Sequence, residues 1–158
     1  MPYERIEYAI KVCVEYLNKC DKTSPDLPEI ESRIVSGLVV LIVSEYEERI
    51  ENTFIKRAEQ CGDNAVSTYI RNILAEKFRS PDIGKITETL GRFGGTFKES
   101  FSKTVLNTES HAAWDNIMRA RHAVVHKKGT LNLTLRELEG DYPKTKYVIS
   151  QLEAVLLG

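Results

Sequence analysis

Cysteine is scarce in this chain: Cys13, Cys20 and Cys61 are the only three, and no two of them form a Cys-x-x-Cys pair. An odd number at these spacings gives no disulfide framework. If Cys13 and Cys20 share a helix, seven residues at a rise of about 1.5 Å separate their Cα atoms by about 10.5 Å, beyond disulfide reach. Reduced, mostly buried thiols in a cytosolic protein are therefore expected. An excess of charge is missing as well. With 22 basic and 23 acidic residues the net charge is −1, which argues against a general nucleic-acid coat but leaves room for a local anion site. No segment has the charged start and apolar run of a signal peptide. The most apolar stretch, residues 34–43, is broken by Ser36 and Gly37 and is too short to cross a bilayer, so a cytoplasmic location with no membrane partner is expected.

Several signatures of catalysis are also lacking. Gly91-Arg92-Phe93-Gly94-Gly95 has no Gly-Lys-Ser/Thr and follows no strand, so it reads as a cap and turn, not a phosphate loop. No serine sits in a nucleophile elbow, and no carboxylate cluster is of the sort that holds catalytic magnesium. No internal repeat, low-complexity stretch or second domain is visible.

What is present is an ordinary globular composition, 42% hydrophobic and 28% charged over 158 residues. That is enough for one domain, residues 1–158, to bury a core without metal or disulfide support. Residues 3–20 place Ile6, Ala9, Ile10, Cys13, Leu17 and Cys20 on one helical face. After a turn-rich loop at 21–28, residues 29–60 read as one long helix, apolar nearly all round through Val43 and amphipathic afterwards. The β-branched run also suits strands, but the Glu-rich flanks and the absence of breakers favour helix. Gly62 stops this helix, and Asp63 caps another that buries Val66, Tyr69, Ile70, Ile73, Leu74 and Phe78. Ser80-Pro81-Asp82 opens a short helix closed by Gly94-Gly95, and a second short helix carries Phe97, Phe101, Val105 and Leu106. Further on, Thr134 and Glu137 form the capping box of a helical turn that Gly140 ends. Pro143 then stands in the first turn of a final helix burying Tyr147, Val148, Leu152 and Val155. The fold class is all-α, a single helical bundle of about five to seven helices.

Residues 107–129 organise the rest. Ala113, Trp114, Ile117, Ala120, Val124 and Val125 recur at three- and four-residue spacing as a buried stripe, and Gly129 offers a left-handed cap. Residues 119–128 of this segment hold two of the three histidines, His122 and His126. Residues 119–128 carry Arg119, Arg121, Lys127 and Lys128 with no acid, whereas Glu45, Glu47, Glu48, Glu51 and Glu59 crowd residues 45–59. At about 100° per residue, Arg121 and His126 lie about 140° apart, so they share a site only near a frayed helix end or where another element completes it. His122 and His126, four apart, have no Cys, Asp or Glu nearby as a third metal ligand; neither a metal nor a cofactor is expected. Arg119 falls on their face and suits either a phosphate contact or an ordinary salt bridge. His111, in the first turn, reads as a surface residue. The plain alternative for the whole cluster is a solvated helix end.

Arg121-His122-Ala123-Val124-Val125-His126, late in a helix of a small helical domain, resembles the Arg-x-x-x-x-His signature of the HEPN superfamily, where a polar residue such as His122 often follows the arginine. Ser44-Glu45-Tyr46-Glu47 on an apolar second helix is similar to the RiboL-PSP branch of that superfamily, as are the short loop and Thr-led helix at 134–138. Lys127 departs from the pattern, glycine being frequent there. The resemblance covers most of the chain from about Glu29 onward. It implies a HEPN-like bundle acting as a metal-independent endoribonuclease on RNA. It also implies a homodimer, in toxin–antitoxin or antiviral settings, with an antitoxin protein as a further partner. Carried onto this chain, Arg121, His126 and His122 are the catalytic candidates, with Arg119, Lys127 and Lys128 in support. Glu47 would orient the arginine, against the simpler reading of a solvent-facing glutamate. Cleavage through the 2′-hydroxyl needs a base, an acid and a cation at the phosphate, and imidazole and guanidinium are suitable groups. One chain offers one pair; two chains across a two-fold axis offer both acid and base. The alternative is a non-catalytic module of the same fold that binds RNA, a nucleotide or a protein partner.

Overall fold

The computed structural model describes residues 3–126 and 131–158, and among them the chain forms helices and no strand. Seven helices follow one another: α1 (Glu4–Lys19), α2 (Leu27–Glu59), α3 (Asn64–Lys77), α4 (Ile83–Phe93), α5 (Gly95–Val105), α6 (Glu109–His126) and α7 (Leu135–Leu157). The all-α bundle expected from the periodicities is the fold observed.

Helix α2 is the axis. It starts two residues earlier than the sequence suggests, because Pro28 sits in its first turn, where a missing N–H leaves no bond unmade. Val35, Val39, Ile42, Val43, Tyr46, Ile50 and Phe54 are buried along it, and α1, α3, α6 and α7 pack around it. Helix α7 runs parallel to α2. Glu31 accepts from the Leu135 amide at 2.9 Å, Tyr46 meets Thr145 at 2.6 Å, and Arg49 pairs with Glu153 at 2.6 Å. Helix α6 runs antiparallel to α7, with Lys144 on Glu109 at 3.2 Å and Asn116 on Asp141 at 3.1 Å. The centre is a polar-tipped aromatic stack. The Trp114 ring lies on Tyr46 with centroids 5.1 Å apart, and its indole N–H donates to the Pro81 carbonyl at 2.9 Å. The Thr145 hydroxyl donates to the Tyr142 carbonyl at 2.8 Å, which leaves Tyr46 as the donor to Thr145. Each buried polar atom of the stack thus has a partner.

The caps fall where the side chains place them. Asp63 accepts from the Ala65 and Val66 amides, Asp82 accepts from the Lys85 amide, and Gly62 turns the chain at φ +74°. The Thr134–Glu137 capping box forms as expected. Other expectations need correction. Helix α7 does not stop at Gly140 and restart at Pro143; both lie inside one continuous helix. Leu135, Leu138 and Tyr142 before the proline and Val148, Ile149 and Leu152 after it are buried in one core, and that packing outweighs the missing N–H bond. On α3, Leu74 and Phe78 are buried and Ile70 is half-buried, whereas Val66, Tyr69 and Ile73 are exposed. The helix packs on α2 by one edge alone, so its predicted stripe is wider than its contact. Val125 is 51% exposed and Tyr147 42%, although their spacing predicts packed faces for both, and Met118 is buried. The thiols are less hidden than expected: Cys13 and Cys20 are half-buried and Cys61 is exposed. The predicted Gly129 cap lies outside the described residues.

Candidate active site

Seven residues are close to two helical turns, so Arg121 falls only about 20° from Trp114 around α6. Arg121 therefore leaves the helix along the face that packs on α2, and it is half-buried for that reason. Its Nε is fully buried and has no hydrogen-bond partner, and no carboxylate pairs with its guanidinium among the described residues. A buried donor left unmade costs about 1–3 kcal/mol, and most buried arginines avoid that cost with a carboxylate. This one has no such carboxylate among the described residues.

His122 and His126 project from the neighbouring face, about 100° and 140° from Arg121. Both are exposed, and their rings touch at a centroid distance of 4.2 Å, tilted by 48°. One turn of helix separates them, which places the rings one above the other. The arginine and the histidine pair thus occupy one helix end but diverge around it. This end is the negative pole of the α6 dipole, so attraction for a phosphate here has to come from side chains.

Of the supporting residues, Arg119 is turned back on its own helix. Its Nε donates to the Asp115 carbonyl at 3.2 Å and its Nη2 to Asn116 Oδ1 at 2.7 Å. Glu47 is half-buried and accepts from the Ser80 amide at 2.5 Å. Ser80 has φ +48°, a left-handed conformation, and the Glu47 carboxylate holds that turn in place. No ion pair joins Glu47 to Arg121 among the described residues. His111 is half-buried at the start of α6, where its Nδ1 accepts from the Asn107 amide at 3.3 Å and its Nε2 lies 3.6 Å from Asp115. Lys127 and Lys128 lie outside the described residues.

Sequence reading missed the groups that α7 and the residues just before it bring beside α6. Asn132, Asp141 and Lys144 line a cleft with Asn116 and Arg119 of α6. Breaking α7 at Gly140 hid them, since a continuous helix from Thr134 would have set Glu137, Gly140, Asp141 and Lys144 on one face at three- and four-residue spacing. Among the described residues no group of three or more His, Cys, Asp or Glu side chains is arranged to hold a metal ion, and no helix is long and apolar enough to cross a membrane.

No curated protein and no solved structure shows significant similarity to this sequence. A family model described as RiboL-PSP-HEPN matches residues 4–157, nearly the whole chain and all seven helices. With the Arg121-to-His126 motif at the end of α6 inside the matched region, the chain belongs to the RiboL-PSP family of HEPN domains.

Proposed function

We propose that this HEPN domain is a metal-independent endoribonuclease that cleaves RNA through its own 2′-hydroxyl, with residues 1–158 acting as one domain. HEPN domains are often ribonucleases, and family membership supports the class of reaction. The observation that carries the proposal is Arg121: a half-buried guanidinium with an unpartnered Nε, in the same last two turns of α6 as two exposed, contacting imidazoles. In the reaction an imidazole takes the 2′-hydroxyl proton as the oxygen attacks phosphorus. A second group protonates the departing 5′-oxygen, and Arg121 balances the charge gained by the phosphate oxygens. His126 is the proton-transfer group and His122 its support. Acid and base come from the two chains of a homodimer whose α6 ends face each other, because Arg121 and His126 diverge too far on one helix to act alone. A toxin or antiviral effector role fits an RNA-cleaving activity of this kind, with an inhibitory antitoxin protein as partner.

The test is incubation of labelled single-stranded RNA with the purified protein, with and without EDTA, beside His126→Ala. Cleavage that survives chelation and is lost in the variant supports the proposal. Cleavage that stops with EDTA and returns with added metal overturns the mechanism. RNA binding with no cleavage leaves a binding module in its place.

A further inference from the structure

Beside the histidine pair, α6 and α7 part to leave a cleft of about 530 Å³. Its α6 wall, which includes Arg119 and Ala123, lies within about two turns of His126, so a molecule seated there is a neighbour of the proposed scissile phosphate. The lining carries both signs of charge, but most of its groups are already engaged. Arg119 donates to Asn116, Lys144 pairs with Glu109, and Glu137 closes the Thr134 capping box. Arg119 Nη1 and Lys144 Nζ have N–H groups beyond these bonds, and Asn132 and Asp141 have bonding capacity as well. The Asn132 amide has no hydrogen-bond partner among the described residues, and Asp141 uses only Oδ2, on Asn116.

Gly140 is the second observation. A glycine inside a helix costs about 1 kcal/mol relative to alanine, and neither conformation nor packing asks for one here. Its φ is not left-handed, and a Cβ added at this position meets no atom within 4 Å. Because Gly140 lines the cleft, that Cβ and any longer side chain would take up cleft space.

We propose that the α6–α7 cleft is a nucleobase subsite, which takes an unpaired base bearing an exocyclic amino group and so sets where the RNA is cut; this rests on the ribonuclease reading above. A free carboxylate oxygen repels a phosphate and accepts from an N–H, so Asp141 selects a base edge over the backbone. The Asn132 amide, both donor and acceptor, answers the rest of the edge. Adenine, cytosine and guanine each present an amino group to Asp141. Uracil flanks its one N–H with two carbonyl oxygens, which face the carboxylate unfavourably. Single-stranded RNA is read through such edges because unpaired bases can be splayed into pockets.

The experiment titrates the wild-type protein with AMP, CMP, GMP and UMP, none of which it can cleave, and follows backbone amide shifts by NMR. The first three are expected to shift Asn132, Gly140 and Asp141, with UMP weaker by about fivefold or more, the discrimination of one good base-edge contact. Gly140→Leu is expected to abolish the shifts elsewhere in the cleft without lowering Tm, since leucine is the better helix former. Asp141→Asn is expected to level the four nucleotides, and it tests the idea if the leucine variant fails to fold. Equal binding of UMP, shifts outside the cleft, or undiminished binding by a folded Gly140→Leu protein overturns the inference. RNA cleavage in the same preparation separates the two readings. Cleavage without base discrimination removes the subsite alone, and base discrimination without cleavage removes the ribonuclease alone.

Discussion

At Arg121 function and stability pull in opposite directions. The Arg-x-x-x-x-His spacing was legible in the sequence, and the seven-residue step from Trp114 explains why the arginine turns toward the packed face. That its Nε would be buried without a partner was not, because this depends on what α2 and α7 do not offer at that level. Replacing Arg121 by methionine removes the unmade donor and keeps most of the apolar stem. Arg121→Met is expected to raise stability by about 1 kcal/mol in urea unfolding, with the sole tryptophan, buried Trp114, as the probe, while RNA cleavage is lost. A loss of stability of that size would mean that the guanidinium holds the fold together. His126→Ala acts on an exposed side chain. Its stability is expected to change by no more than about 0.5 kcal/mol while cleavage falls about 100-fold. Val125 reads from spacing as a core residue, but it is half-exposed because the helix stripe outruns its partners near the end of α6. Val125→Ala is thus expected to cost little in the same unfolding experiment.

Element boundaries were legible wherever a side chain caps a helix, as at Asp63, Asp82 and Thr134, since those signals are local. They failed at Gly140 and Pro143, where local chemistry says break and the α2 surface, distant in sequence, keeps α7 whole. The cap of α7 gives a pH test. Hydrogen bonds from the Thr134 amide, and then from its hydroxyl, hold the Glu137 carboxyl below its ordinary pKa. A carboxyl with a depressed folded pKa adds stability above its unfolded pKa and loses it as pH falls through the folded one. Thr134→Ala is therefore expected to cost about 1 kcal/mol at neutral pH. Glu137→Ala is expected to lower Tm at neutral pH, with its gap to wild type narrowing below the usual carboxylate range. Thermal melts at several pH values check both, and a gap that widens in acid contradicts this account of the cap. Pro143→Ala restores the amide that would bond the Glu139 carbonyl and is expected to raise Tm in the same melts.

For the whole molecule, the bundle was legible because its helices each announce themselves. The groups drawn together beside α6 were not, since a break read at Gly140 hides the α7 face that carries Asp141 and Lys144. Among the described residues Arg121 and His126 leave α6 about 140° apart, and His126 alone cannot be acid and base in the same step. If the proposed dimer supplies one histidine from each chain, both chains must be intact for a turnover. Wild-type protein is mixed with His126→Ala in rising proportion under conditions that allow subunit exchange, and cleavage is measured at constant total protein. With both histidines required, only dimers of two wild-type chains cut RNA, and activity follows the square of the wild-type fraction. At equal amounts about one quarter of the activity should remain. A linear fall to about one half would mean that each chain cuts alone and would remove the shared site. Light scattering on the same mixtures checks that the chains are paired, and a monomer at micromolar concentration would remove it as well.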